Sequence, residues 1–210
     1  MPAPVDYEQR RARVLDIAAG ILAQAGLKAV TVREVARVAG VSTAIVSHYF
    51  RDKDELLLLL FRRNVAEAAA NADRALENSD CDLKAFIEPA MVLDKERVDR
   101  WRIWLAYIAQ LASHPEIAEI QRDSAADRLA RLEAILRQLD ARGDLNPGIA
   151  PRPTAERLLS LIMGLAVQVL FDMDAWPPER QHAVIDAELR SLYRPDRLPP
   201  SVAPANCPLR

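Results

Sequence analysis

Cysteine is scarce in this chain. Its 210 residues hold two, Cys81 and Cys207, far apart in sequence and in neither a disulfide framework nor a metal spacing. Free thiols suit a reducing compartment, so a cytoplasmic location is expected. The three histidines, His48, His114 and His182, fall in no HxxH or HExxH pattern, and CxxC and GxGxxG are lacking. No metal, no phosphate cradle and no cofactor is therefore expected. Only six residues are glycine, and there is no alternating β-branched run, so the fold class is all-α. The longest nearly apolar run, Leu158 to Phe171, is 14 residues and is interrupted by Ser160 and Gln168. That falls short of a bilayer span, and no membrane partner is expected. The opening MPAPVDYEQRRARV has no apolar segment ahead of its charges and does not read as a signal peptide. Positive charge is not in excess either, with a net charge of −2, which by itself argues against a nucleic-acid binder.

The distribution of that charge says more. Residues 1–53 carry eight Lys or Arg against five Asp or Glu, a net of +3, and the remainder carries −5. A weakly basic head on an acidic body suits a protein whose N-terminal module alone meets phosphate. Within that head, GLKAVTVREVARVAGVSTAIVSHYFRDKDE at 26–55 reads as two short helices and a tight turn. Thr31 is an N-cap with Glu34 three residues on, a capping box, and Asp52 with Glu55 is another. Val32, Val35, Ala36 and Ala39 form one apolar face before Gly40. Ser42 caps the second helix, whose inner face is expected to be Ile45, Val46, Tyr49 and Phe50. Thr43, Ala44, Ser47 and His48 then point outward, where a helix can enter the major groove and reach base edges. Arg33 and Arg37 fall on the outer side of the first short helix. A preceding helix over 8–25, with Val14, Ile17, Ala18, Ile21 and Leu22, is expected to cover the pair.

This block, Gly26, Thr31, Val35-Ala36, Ala39-Gly40-Val41-Ser42, His48-Tyr49-Phe50, Lys53 and Leu56-Leu57, resembles the N-terminal DNA-binding domain of the TetR family of transcriptional regulators. VSTAIVSHYFRDKDELL is similar in particular to the choline-responsive BetI-like branch. Looser likeness to that branch extends through Trp101, Trp104-Leu105-Ala106 and LARLEAILRQLDARGDL at 129–145. Ile45 and Ser47 replace the Thr and Tyr of the commoner family pattern, which removes a hydroxyl and a ring that often touch phosphate. The resemblance implies that Thr31, Thr43, His48, Tyr49 and Lys53 lie near DNA, several on phosphate; Ser42 at its cap and Arg33 on the outer helix side are further DNA-binding candidates. It implies a homodimer on a double-stranded operator, released by a small-molecule effector.

Beyond the head, helices are expected at 53–76, 82–93 with a kink at Pro89, 95–112, 115–142 ended by Gly143, 154–173 and 177–193. The expected division is a helix-turn-helix domain at 1–52, a helical effector-binding and dimerisation domain at 53–194, and a loose proline-rich tail at 195–210. Phe86, Met91, Trp101, Trp104, Tyr107, Ile108 and Phe171 could wall an effector pocket. Aromatics at helical spacing serve equally as core, but such a wall could also cage a quaternary ammonium by cation–π attraction. A cationic ligand would want a carboxylate, for which Glu88, Asp94, Asp99 and Asp172 are candidates. In the eighth helix Leu158, Ile162, Leu165 and Val169 form one stripe, and a second apolar stripe runs beside it. The surplus suggests burial against another subunit, with Ile185, Leu189 and Leu192 joining from the last helix. An enzyme reading finds only Ser42 or Ser47 beside His48, with no third orienting group, so catalysis is not expected. The alternatives carried are an activator or ligand-independent architectural DNA-binding protein, and a helical protein–protein adaptor.

Overall fold

The computed structural model describes residues 4–77, 82–112 and 114–202. Among them the chain forms nine α-helices and no strand, with one isolated bridge between Leu145 and Tyr193. They divide into two compact units. The first holds the chain up to Glu67 together with Val98–Gln121, and the second holds Ala68–Arg97 and the chain from Arg122 onward.

In the first unit, α1 (Pro4–Ala25) ends at Gly26, whose φ of 77° no β-carbon favours. A 3-10 turn at Leu27–Ala29 leads to α2 (Val32–Ala39). Thr31 Oγ1 accepts the Glu34 N–H at 3.1 Å, while the Glu34 carboxylate turns to Arg37 at 2.6 and 2.8 Å, so only half of the expected capping box closes. Gly40, at φ 67°, ends α2 in the left-handed conformation, and Val41 N–H returns to the Ala36 carbonyl at 3.0 Å. An added β-carbon at Gly40 would meet nothing within 4 Å, so backbone conformation, not close packing, demands glycine. Helix α3 (Thr43–Tyr49) starts from Ser42, whose Oγ accepts the Ile45 N–H at 3.4 Å. Helix α4 (Lys53–Glu77) starts from Asp52, which accepts from Glu55 N–H at 2.7 Å; Glu55 in turn accepts from the Arg51 N–H. The end expected for α4 at Asn78 and Ser79, and both cysteines, lie outside the described residues.

One apolar core joins these helices. Val14, Ala18 and Leu22 of α1 meet Val35 and Ala36 of α2, Val46 and Phe50 of α3, and Leu56, Leu60 and Phe61 of α4. Ile103, Tyr107 and Ile117 from much later in the chain belong to the same core. Tyr107 is wholly buried, its ring 4.7 Å from Phe61 and its hydroxyl donated to the Leu57 carbonyl. The core of this unit therefore continues past residue 52, with Leu56, Leu57, Leu60 and Phe61 of α4 among its buried members.

In the second unit, α5 (Leu83–Ile87) passes into a 3-10 turn at Glu88–Ala90, the break expected from Pro89. Helix α6 (Lys95–Ile108) begins here, α7 (Pro115–Ala141) joins it from Arg122 onward, and α8 (Pro151–Phe171) and α9 (Pro178–Leu192) follow, α7, α8 and α9 each with proline at the first position. The loop at 144–150 is tied to the far end of α9 through Asn146 N–H to Leu192 O at 2.8 Å and Arg194 N–H to Asp144 O at 2.9 Å. Gln181, 1% exposed, accepts from Val92 N–H at 3.1 Å and donates to the carbonyls of Val92 and Trp176.

Two expectations bear on this unit. Leu158, Ile162, Leu165, Val169, Ile185, Leu189 and Leu192, expected at a dimer interface, are all buried within this one chain. A helix turns about 100° per residue, so these α8 residues share one stripe, and its opposite face is Ser160, Gly164, Val167 and Phe171. The tail also packs as far as it is described. A 3-10 turn covers Pro195–Arg197, Val202 is fully buried, and the Ser201 carbonyl accepts from Lys84 Nζ at 2.8 Å. By length and composition α8 could cross a bilayer, yet its apolar stripe is occupied by protein and Arg152, Glu156 and Arg157 stand exposed on it.

Candidate nucleic-acid interface

Helix α3 is short, and nearly all of it is solvent-facing. Val46 and Phe50 are buried and Tyr49 is half-buried, whereas Ser42, Thr43, Ala44, Ile45, Ser47 and His48 are exposed. At about 100° per residue the exposed arc runs, in order, Thr43, Ser47, Ala44, His48, Ile45. The sequence placed Ile45 inward, and the structure leaves it 42% exposed. Two anchors, Val46 and Phe50, suffice to seat a seven-residue helix, so Ile45 is displaced to the rim of the outward face.

The caps leave chemistry available. Thr31 and Ser42 use their hydroxyl oxygens as acceptors, and each O–H remains a donor that a phosphate oxygen can take. Arg33 is exposed. Arg37 is held by Glu34, and that guanidinium keeps the Glu34 carboxyl below the usual carboxylate range. Lys53 donates to the Leu27 carbonyl at 3.2 Å, which ties α4 to the turn before α2 and leaves two ammonium protons for other acceptors.

Tyr7 was not foreseen. From the first turns of α1 its ring comes to 5.8 Å from His48, edge-on, and 5.1 Å from Tyr49. The three rings line the C-terminal end of α3. A tyrosine 41 residues upstream of His48 carries no local pattern that would link the two. The Arg11 guanidinium, by contrast, lies over the Phe50 ring at 5.6 Å and pairs with Glu8 at 3.7 Å.

The residues proposed for an effector fall in both units. In the first, Trp101 and Trp104 meet edge to face at 5.1 Å, and Trp104 Nε1 donates to Gln121 Oε1 at 3.1 Å. Ile108 is half-buried, and Tyr107 is committed to the core. In the second, Phe86 and Met91 are buried, whereas Phe171 is 73% exposed. Phe171 lies six residues past Leu165, about 240° round α8, so it cannot share a wall with residues beneath the buried stripe. Asp94 and Asp172 serve as local caps, accepting from Arg97 N–H and Ala175 N–H at 2.9 Å each. A surface cleft of about 530 Å³ lies between the end of α7 (Arg137, Asp140, Ala141) and the start of α8 (Ala150 to Pro153), and none of the effector candidates lines it. Among the described residues no three His, Cys, Asp or Glu side chains gather as metal ligands.

Two family models match. One, described as bacterial regulatory proteins of the tetR family, covers residues 14–60, and one described as BetI-type transcriptional repressor, C-terminal, covers residues 81–194. The regulator PksA of Bacillus subtilis is 25% identical over 91% of this chain and 94% of its own. The regulator BetI of Cronobacter sakazakii is 30% identical over 74% of this chain and 77% of its own. In fold, a putative transcriptional regulator from Saccharomonospora viridis, solved in complex with choline, superposes with a TM-score of 0.81 at 22% identity, covering 89% of this chain and 99% of that one.

Proposed function

The chain belongs to the TetR family of transcriptional regulators, with a BetI-type C-terminal region, and from that premise we propose that it is a repressor released from its operator by a small organic cation. It is a ligand-responsive, DNA-binding regulator. The observation that carries the DNA half of this reading is the outward arc of α3, five exposed side chains on a helix anchored by two buried ones. Thr43, Ser47 and Ala44 reach base edges, while Thr31, Ser42, Arg33, His48, Tyr49 and Lys53 hold phosphate. The chain acts as a binder, not a catalyst, in the cytoplasm.

The effector half rests on the Trp101–Trp104 pair and on the choline bound by the Saccharomonospora protein. Two indoles inclined at 75° present electron-rich faces to a cation. Asp99, two residues before Trp101 on the same helix and paired with Arg102 at 3.9 Å, is the carboxylate of this unit that serves as its counter-charge. Helix α4 is uninterrupted from Lys53 to Glu77, so a displacement of its later turns is transmitted to the turn that precedes it. The separation of two recognition helices then departs from one helical repeat of DNA, about 34–36 Å, and the operator is lost. The homodimer that this requires uses the face of α8 its own core leaves free, Ser160, Gly164, Val167 and Phe171.

The test is titration calorimetry with choline, betaine aldehyde and spermidine, alongside anisotropy on the upstream region of the chain's own gene. A cation should bind, and should raise the operator Kd at least tenfold (about 1.4 kcal/mol of coupling). Trp101→Ala should lose that response while retaining DNA binding. Tight binding of a neutral or acidic ligand, with no response to any of the three cations, sinks the cation reading and leaves the regulator. DNA binding that no ligand alters favours an architectural role.

A further inference from the structure

The exposed arc of α3 has a hydroxyl edge and an apolar edge. Thr43 and Ser47 stand at one side, and Ile45 stands at the other, about 200° from Thr43 round the helix. Ile45 is among the most exposed large apolar residues of the described chain, 42% of its surface facing solvent. Its position is fixed from below, because its own N–H is held by the Ser42 cap and the next residue, Val46, is fully buried. A β-branched side chain on a helix has essentially one χ1 rotamer, so its methyl groups are presented in a single direction. It is also in the first turn, the part of a recognition helix that goes deepest into the groove.

In a major groove the one apolar feature of a base edge is the C5 methyl of thymine. An exposed, rigid, branched apolar side chain on the groove face would leave its hydration unfavourably placed against any other base. We propose that Ile45 is a specificity-determining residue that reads a thymine methyl in each operator half-site, with the Ala44 methyl beside it and the hydroxyls of Thr43 and Ser47 turned to the neighbouring base pairs. The inference rests on the DNA-reading role of α3 and deepens it by assigning a base. Ile45 is not a member of the buried core cluster, and alanine is the better helix former, so truncation tests recognition while the fold is kept.

The experiment selects preferred duplexes from a random pool with the full-length protein, then replaces each selected thymine in turn by deoxyuridine, which removes only the methyl. One thymine per half-site should prove sensitive, its replacement in a single half-site weakening binding about fourfold, the factor given by one buried methyl group. Ile45→Ala should weaken operator binding by at least that factor, change binding to an unrelated duplex less than twofold at the same salt concentration, and be indifferent to deoxyuridine at that position. Ile45→Val, which keeps the branched methyls, should retain the sensitivity. An operator whose thymines can all be replaced without effect, or an Ile45→Ala protein that keeps the full deoxyuridine penalty, overturns the inference and leaves the regulator reading standing. A parent protein that enriches no duplex overturns both.

Discussion

Tyr107 shows how a residue's chemistry follows from its seat. Its hydroxyl ends on the Leu57 carbonyl inside the core of the first unit, and burial pushes the phenol well above the ordinary tyrosine range. The unfolded chain ionises such a group near pH 10, whereas the folded chain resists. The resulting stability is fully present below that pH and declines as pH rises above it, because only the unfolded state then releases the proton. Tyr107→Phe should cost about 1 kcal/mol at pH 7 by denaturant midpoint. The deficit relative to the parent should shrink above pH 10, and phenolate absorbance should show one of the four tyrosines titrating only on unfolding. A Phe variant as stable as the parent at pH 7 would remove the hydrogen bond from the account. At this scale the sequence was partly legible. The caps at Thr31, Ser42 and Asp52 follow from local spacing and are present. Ile45 was misplaced because a seven-residue helix gives too few apolar positions to distinguish a core face from its rim. Tyr7 was missed because its partners are distant in the chain.

Among the elements, most of the proline starts and glycine stops were legible. Helices α7 and α9 open on Pro115 and Pro178 as the sequence suggests, and the left-handed Gly26, Gly40 and Gly143 close α1, α2 and α7. Helix α8, however, opens on Pro151, three residues ahead of the expected start at 154, because proline at a helix's first position costs no hydrogen bond. Interactions between elements were not legible. Glu133 of α7 accepts from Arg137 at 2.6 Å and reaches across to Arg152 of α8 at 3.2 Å. The two guanidiniums hold its carboxyl below the usual range. A depressed carboxylate stabilises the fold above the unfolded pKa, about 4.3, and that contribution is lost as pH falls through the folded value. Glu133→Gln should therefore lower the Tm at pH 7, and the two melting curves should converge as the pH is taken below 4. A difference that persists at pH 3 would assign the loss to packing instead. No single-helix pattern could have paired Glu133 with Arg152, since the loop between their helices had to be folded first.

For the whole molecule, the surplus of apolar residues on α8 was visible in the sequence, and the structure buries the stripe of Leu158, Ile162, Leu165 and Val169 within its own chain. Periodicity reports how wide an apolar stripe is and not whether its neighbour is the same chain or another. Leu165, 6% exposed, belongs to the protomer's own core, whereas Phe171 and Met173 are 73% and 48% exposed. Phe171→Asp should accordingly give a folded monomer in sedimentation, with far-ultraviolet dichroism unchanged and operator binding lost. Leu165→Glu should fail to fold at all. A Phe171→Asp protein that still sediments as a dimer would move the interface off this face. The discontinuous core of the first unit bears on how the protein is made. Phe61 leaves the ribosome well before Tyr107, and at about 5–20 residues per second the stretch from Glu67 to Gln121 takes roughly 3–11 s. During that interval a nascent head has every helix it needs to touch DNA and none of the later side chains that seal its floor. The recognition module is thus not a cassette that can be cut after α4 and moved to another protein, and a ribosome stalled in that interval exposes a sticky intermediate to chaperones.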